Sequence, residues 1–126
     1  MRFLLDTVTF VRAVEAPERL SRQAHSLFAD NELILELSTI SLTEVAINHA
    51  IGKLDMPMAD VRTAIRDLRL KVLPYTLEHT SFLFDLPLHH RDPFDRQIIA
   101  QALAENIPVV TSDSKFSHYK GLSVIW

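Results

Sequence analysis

Short apolar runs alternate along the chain with longer stretches in which apolar residues recur at helical spacing. The apolar runs predict strands at residues 2–5, 33–37, 71–73, 108–111 and 122–126. The helical spacing predicts helices or helical turns at residues 7–14, 17–28, 42–51, 57–70, 77–84, 93–105 and 114–119. Because short apolar strands alternate with helices throughout, we expect an α/β sandwich with a mainly parallel sheet.

The most informative stretch covers residues 89–102, which are polar in the first half and apolar at helical spacing in the second. The pair Asp92-Pro93 fits a helix start, with Asp92 as N-cap and Pro93 at the first helical position. Asp95 then lies in the first turn, next to Asp92 on the helix surface. Two carboxylates this close repel each other unless a cation lies between them. We therefore expect the fold to bring further carboxylates to this point.

Three more acids occupy positions where predicted parallel strands end. Asp6 follows the first strand, Glu44 lies in the first turn of the helix after the second, and Asp113 follows the penultimate strand. Ligands of parallel α/β sheets bind at this edge, so we expect these acids to meet Asp95 there. Oxygen ligands of this kind suit Mg²⁺ or Mn²⁺ rather than zinc, and Mg²⁺ favours phosphate chemistry. The pattern predicts phosphodiester or phosphoryl chemistry.

Each acid also has a purely structural interpretation. Residues Ser41–Glu44 have the form of a capping box, and Asp92 can serve only as an N-cap. Asp95 can simply complement the helix dipole, and Asp113 can simply cap a turn. An acid directly after a buried strand is less needed for structure, so Asp6 is the hardest to dismiss. The joint pattern is more specific than any one of its members.

Composition narrows the class of protein. The chain has 126 residues, 48% apolar and 23% charged, so residues 1–126 are typical of one globular domain. There is no cysteine, which favours a reducing compartment. No apolar run approaches the roughly 20 residues that cross a bilayer, and the N-terminal run is too short for a signal peptide. We therefore expect a cytoplasmic protein with no membrane partner.

The net charge of −3 is unusual for a protein that binds nucleic acid by charge alone, because such proteins are usually basic. Acids gathered in one metal site can mask basic residues elsewhere. Arg91 and Arg96, which flank the predicted site, are candidates for contacts with substrate phosphates. The histidines at positions 89 and 90 are interpreted as solvent-facing or hydrogen-bonded structure.

Four segments stand in a fixed order along the chain: Leu4–Thr7, Ser41–Ala46, His90–Ala102 and Val110–Asp113. Together they resemble the PIN-domain ribonucleases, and most closely the VapC-type toxins of bacterial toxin–antitoxin pairs. The resemblance spans essentially the whole chain, and the Arg-Asp-Pro-Phe-Asp-Arg run is its most specific part. It implies a single PIN domain, a three-layer sandwich with a central, mainly parallel sheet flanked by helices.

The resemblance implies a metal-dependent endoribonuclease. By motif, the catalytic acids are Asp6, Glu44, Asp95 and Asp113. The main ligands of Mg²⁺ or Mn²⁺ would be Asp6, Asp95 and Asp113. Glu44 would complete the site or orient the attacking water, while Asp92 and Thr111 would support it.

The resemblance also implies three partners: an RNA substrate, a second copy in a homodimer, and a cognate antitoxin. The antitoxin would place a basic side chain in the acidic site. The alternative from another class is a catalytically inactive PIN-like module that binds RNA or a protein.

Overall fold

A computed structural model describes residues 1–126 and contains one sheet of five strands. The strands are β1 (Arg2–Leu5), β2 (Ile34–Ser38), β3 (Lys71–Leu73), β4 (Val109–Val110) and β5 (Val124–Ile125). Their order is β3-β2-β1-β4-β5, and every neighbouring pair is parallel. The prediction of a mainly parallel sheet is therefore confirmed.

Six α-helices connect or follow the strands. They are α1 (Thr7–Glu15), α2 (Arg22–Ala29), α3 (Thr39–Ala50), α4 (Met58–Asp67), α5 (Leu77–Phe84) and α6 (Pro93–Glu105). Short 3₁₀ turns cover Pro17–Arg19 and Ser114–His118. None of the helices has the length and apolar character needed to cross a membrane.

The core has two parts because successive side chains of a strand point to opposite faces of the sheet. On β1, Phe3 and Leu5 pack into one cluster, which α1, α2 and α4 cover. Leu4 points the other way and packs against Ile98 and Ile99 of α6. Helices on both faces of one sheet give the three-layer sandwich, as predicted.

Two helix starts differ from the prediction. The expected helix over 17–28 breaks at Leu20, and α2 begins after Ser21, whose hydroxyl accepts the Ala24 N–H at 3.0 Å. The prediction of a capping box at Ser41–Glu44 is wrong, because α3 follows β2 directly. The N-cap is Ser38, whose hydroxyl accepts the Ile40 N–H at 3.0 Å. Glu44 therefore lies in the second turn of α3 rather than the first.

The end of α4 also differs from the prediction. The pattern predicted a helix to residue 70, whereas α4 ends at Asp67 and Arg69 adopts a left-handed backbone conformation with φ of 55°. This turn redirects the chain into β3. Gly52, with φ of 77°, follows α3 as predicted.

A partly buried ion-pair network joins the far end of α6 to the sheet. The side chain of Glu36 on β2 is fully buried and accepts two hydrogen bonds from Arg2, at 2.6 and 3.1 Å. Arg2 also donates to Glu105 at 3.0 Å, and Glu105 lies 2.9 Å from Nε2 of His79 on α5. Hydrogen bonds from His79 and Arg2 hold the pKa of Glu105 below its usual value. The network ties β1, β2, α5 and α6 together.

Candidate active site

Asp6 lies directly after β1 and caps α1. Its Oδ1 accepts the Thr9 N–H at 2.8 Å, and its Oδ2 accepts the Thr111 hydroxyl at 2.6 Å. The residue is only 3% exposed. Burial raises the pKa of Asp6, the hydrogen bonds from Thr111 and Thr9 oppose this, and the charge of Asp113 raises it further. This carboxylate is thus fixed in position and forms no ion pair with a side chain.

Thr111 links the carboxylates that follow β1 and β4. Its hydroxyl donates to Asp6 and accepts the N–H of Asp113 at 3.0 Å. Asp113 in turn caps a 3₁₀ turn by accepting the Lys115 N–H at 2.9 Å. Burial raises the pKa of Asp113, but hydrogen bonds from Lys115 and His90 outweigh it, so the pKa lies below its usual value.

The start of α6 presents two carboxylates with different local roles. Asp92 is the N-cap and accepts the N–H groups of Phe94 and Asp95 at 2.9 and 3.0 Å. Asp95 points into the acid cluster, and burial is the largest cause that raises its pKa, to about 8. Four other carboxylates contribute to the shift, in the order Asp92, Asp6, Glu44 and Asp113. Without a cation, the site therefore holds a proton on Asp95 at neutral pH.

Glu44 reaches the same cluster from α3. Burial raises the pKa of its carboxyl group, the Thr7 hydroxyl opposes this, and the charges of Asp92 and Asp6 raise the pKa further. Its Oε1 atom is buried and has no hydrogen-bond partner. An unpartnered buried carboxylate oxygen is costly, which indicates that the site lacks a positively charged partner.

His90 is the site residue that sequence reasoning missed. Its Nδ1 accepts the backbone N–H of Asp92 at 3.2 Å, so the ring hydrogen lies on Nε2. Nε2 is 3.0 Å from Oδ2 of Asp95 and 2.8 Å from Oδ2 of Asp113. The single Nε2–H of His90 thus donates to Asp113 and lies close to Asp95, which links the loop after β4 to α6. Its only signal in the sequence was its place directly before the Arg-Asp-Pro run.

Aromatic residues hold His90 in this orientation. The Phe116 ring meets the His90 ring edge-on, with 5.6 Å between centroids. The Tyr119 hydroxyl accepts the backbone N–H of His90 at 2.8 Å and donates to the carbonyl of Pro87 at 2.7 Å. The neighbouring His89 is exposed, as expected for a connector.

Arg96 stabilises the same connector. Its guanidinium donates to the carbonyls of Leu86, Pro87 and His90 at 2.9–3.2 Å. These contacts engage Arg96 in the structure of the loop before α6. Arg91 is exposed and forms no ion pair. Contact of either arginine with RNA stays a prediction.

The arrangement fits a divalent cation that prefers oxygen ligands. Ligand atoms of His90, Asp95 and Asp113 all lie within 4.8 Å of one another. Since Nε2 of His90 carries a hydrogen, the available donors are carboxylate oxygens, the donor type that Mg²⁺ and Mn²⁺ prefer. Clustered carboxylates and the unpartnered oxygen of Glu44 both indicate a missing positive charge.

Comparison with known proteins identifies the family. The model of the PIN domain family matches residues 3–122. The chain belongs to the PIN domain family. Among curated protein sequences, none matches this PIN domain.

Solved structures similar to this PIN domain come from bacterial complexes. One is a chain of VapBC2 from Rickettsia felis, a complex solved with a DNA fragment from its promoter. It has a TM-score of 0.74 and 20% identity, with 99% of this chain and 98% of that chain covered. A chain of DNA-bound VapBC from Salmonella typhimurium has a TM-score of 0.74 and 19% identity, with 99% of this chain and 97% of that chain covered. A chain of FitAcB from Neisseria gonorrhoeae has a TM-score of 0.71 and 17% identity, with 98% of this chain and 96% of that chain covered. At these identities the similarity shows a shared fold.

Proposed function

We propose that this PIN domain is a metal-dependent endoribonuclease. The observation that carries the proposal is the raised pKa of Asp95. Burial and the charges of four neighbouring carboxylates raise this pKa to about 8. Such a cluster is costly for the folded protein and is typical of a functional site. A divalent cation among the carboxylates would remove the repulsion.

The proposed ligands of Mg²⁺ or Mn²⁺ are Asp6, Asp95 and Asp113. When bound, the cation would supply Lewis-acid chemistry, offsetting charge on the scissile phosphate and lowering the pKa of water. Glu44 would complete the site or orient the attacking water. Thr111 holds Asp6 in place, and Asp92 fixes the start of α6. Hydrolysis consumes one water and breaks one phosphorus–oxygen ester bond of the RNA.

We further propose that residues 1–126 act as a single PIN domain, the toxin of a toxin–antitoxin pair. The family and the fold shared with VapBC and FitAcB chains support this. The proposed partners are a cognate antitoxin, an RNA substrate and a second copy in a homodimer. A basic side chain of the antitoxin would match the unneutralised carboxylates of the site.

The test is cleavage of a fluorescent single-stranded RNA by purified protein in Mg²⁺ or Mn²⁺ buffer. We expect wild-type protein to cleave, EDTA to stop the reaction, and Asp6→Asn to remove it without loss of folding by circular dichroism. Expression of wild type, but not of Asp6→Asn, is expected to arrest growth. The matched control is Glu78→Gln, which neutralises an exposed acid on α5.

An Asp6→Asn protein that still cuts RNA in metal buffer would remove the proposed mechanism. Wild-type protein that binds RNA but never cuts it would favour the alternative, a PIN-like module without catalysis.

Replacement of His90 is expected to weaken metal binding. In His90→Leu the Nε2–H that donates to Asp113 and lies 3.0 Å from Asp95 is lost, so we expect Mn²⁺ affinity to fall by about 10- to 100-fold. In His90→Gln the amide places an N–H near Nε2 and should recover part of the affinity. Isothermal titration with Mn²⁺ measures both, and equal affinities for wild type and His90→Leu would contradict the expectation.

A further inference from the structure

A cleft between α1 and α3 carries cationic side chains that form no ion pair. Its volume is about 240 Å³, and Thr7 and Glu44 in its lining place it beside the acid cluster. Its three cations are Arg12, Arg19 and Lys53. None of them takes part in an ion pair of the protein. We call this feature the α1–α3 cleft.

Arg12 connects the α1–α3 cleft to the acid cluster. Its Nη1 donates to the hydroxyl of Ser112 at 3.0 Å, directly before Asp113, and its guanidinium lies 5.8 Å from the ring centroid of Trp126. Its Nε is buried and has no hydrogen-bond partner. Arg19 and Lys53 are exposed, and their side chains make no hydrogen bond within the protein. Their charges are thus available to a ligand.

The cations of the α1–α3 cleft counteract the repulsion between the acid cluster and a polyanion. The protein has a net charge of −3, and the acid cluster repels a polyanion. Unpaired cations in a concave surface beside the cluster attract phosphates to the one place where phosphodiester hydrolysis is proposed.

The size and lining of the cleft favour one nucleic-acid strand. At about 240 Å³ it is smaller than a typical small-molecule pocket. Val8, 49% exposed, lines it together with Val11 and Leu54, which adds apolar surface for a ribose or base.

We propose that the α1–α3 cleft binds the phosphates that flank the scissile bond of a single-stranded RNA, with Arg19 and Lys53 as the contacts. The proposal rests on the proposed function and names the substrate surface of that site. The lining of the α1–α3 cleft contains neither Arg91 nor Arg96, the residues for which the sequence predicted phosphate contacts.

The test compares two double variants with the same change of charge. Arg19→Gln/Lys53→Gln alters the cleft, and Arg62→Gln/Lys71→Gln alters exposed cations on α4 and β3. Binding of a short fluorescent single-stranded RNA is measured by anisotropy in EDTA, across a range of salt concentrations. For the cleft variant we expect affinity to fall about tenfold and the salt slope to fall by about 1.4, which corresponds to two phosphate contacts. The control variant should match wild type.

Because the binding assay contains no metal, its outcome is separate from catalysis. Wild-type protein that binds RNA through the cleft but cleaves none in Mg²⁺ would contradict the proposed function and leave the cleft assignment standing. Equal RNA affinity of the cleft and control variants would overturn the cleft assignment, whatever the cleavage result. Equal loss of affinity for duplex RNA would overturn its single-strand preference. A poly-glutamate peptide that loses binding in the cleft variant while RNA binding persists would assign the cleft to an acidic protein segment instead.

Discussion

Replacing Asp95 by asparagine is expected to stabilise the metal-free protein and to abolish RNA cleavage. Burial and the neighbouring carboxylates raise the pKa of Asp95 to about 8, so the folded protein holds a proton that the unfolded chain releases. The amide removes this cost and keeps the shape of the side chain. Allowing for solvent screening, we expect the free energy of unfolding to rise by about 2 kcal/mol at about pH 8. Cleavage should fall about a thousandfold, since a metal ion contributes several kcal/mol to such reactions.

The stability difference has a defined dependence on pH. Below the ordinary Asp pKa of 3.8, Asp95 is protonated in both the folded and the unfolded wild type, and the two proteins should be equally stable. As the pH rises toward about 8, only the unfolded chain releases the proton, so wild type loses stability relative to Asp95→Asn. Urea unfolding in EDTA at several pH values measures this, with Asp85→Asn as the exposed control. A variant less stable than wild type at about pH 8 would contradict the expectation. Added Mn²⁺ should stabilise wild type more than the variant.

The largest loss of stability is expected from Arg2→Met. Methionine keeps much of the apolar stem of the arginine but leaves the fully buried carboxylate of Glu36 without its cation. Removing one partner of a buried pair costs about 3 kcal/mol or more, a large part of the stability of a typical domain. Urea unfolding at neutral pH measures the loss.

Two further variants separate this effect from a general loss of charge. Arg66→Met breaks an exposed pair with Asp67, in which the arginine side chain is 75% exposed, and should cost less than about 0.5 kcal/mol. Arg2→Met/Glu36→Leu removes both charges of the pair and should recover most of the lost stability. The interpretation fails if Arg66→Met costs as much as Arg2→Met, or if the double variant is no more stable than the single one.

Much of the fold follows from local pattern. The strands β1 and β3 and the helices α5 and α6 begin and end where the apolar pattern places them. These elements have sharp local limits: the Asp92-Pro93 pair fixes the start of α6, and Pro74 ends the run of β3. The parallel sheet follows from the alternation of these elements.

The start of α3 could not be chosen locally. Ser38 and Ser41 are both good caps, and the acid at position 44 makes the second more attractive. Tertiary structure decides, because β2 leads directly into α3 and Ser41 is buried, where its hydroxyl accepts a hydrogen bond from Thr7 at 2.9 Å. A residue 34 positions away in sequence thus uses the hydroxyl that would otherwise form the cap.

In the site, sequence reasoning named the acids and Thr111, which joins Asp6 to Asp113, but it missed His90. Strand ends place Asp6 and Asp113, since parallel strands share one carboxyl edge. The bridge through His90 depends on Asp113, 23 positions away, and no local periodicity marks it. The α1–α3 cleft likewise brings together cations from α1, from the turn after α1 and from the segment after α3. The sequence pattern alone does not show that these cations share one surface.

The hydrogen bond between Thr111 and Asp6 joins residues 105 positions apart, and this separation has a consequence for synthesis. The ribosome releases Asp6 and Glu44 before it releases Asp95, Thr111 and Asp113. A nascent chain that does not yet include Asp113 cannot assemble the complete carboxylate cluster. Under the proposed function, a nascent chain that lacks Asp95 and Asp113 would therefore be unable to cut RNA near its own ribosome.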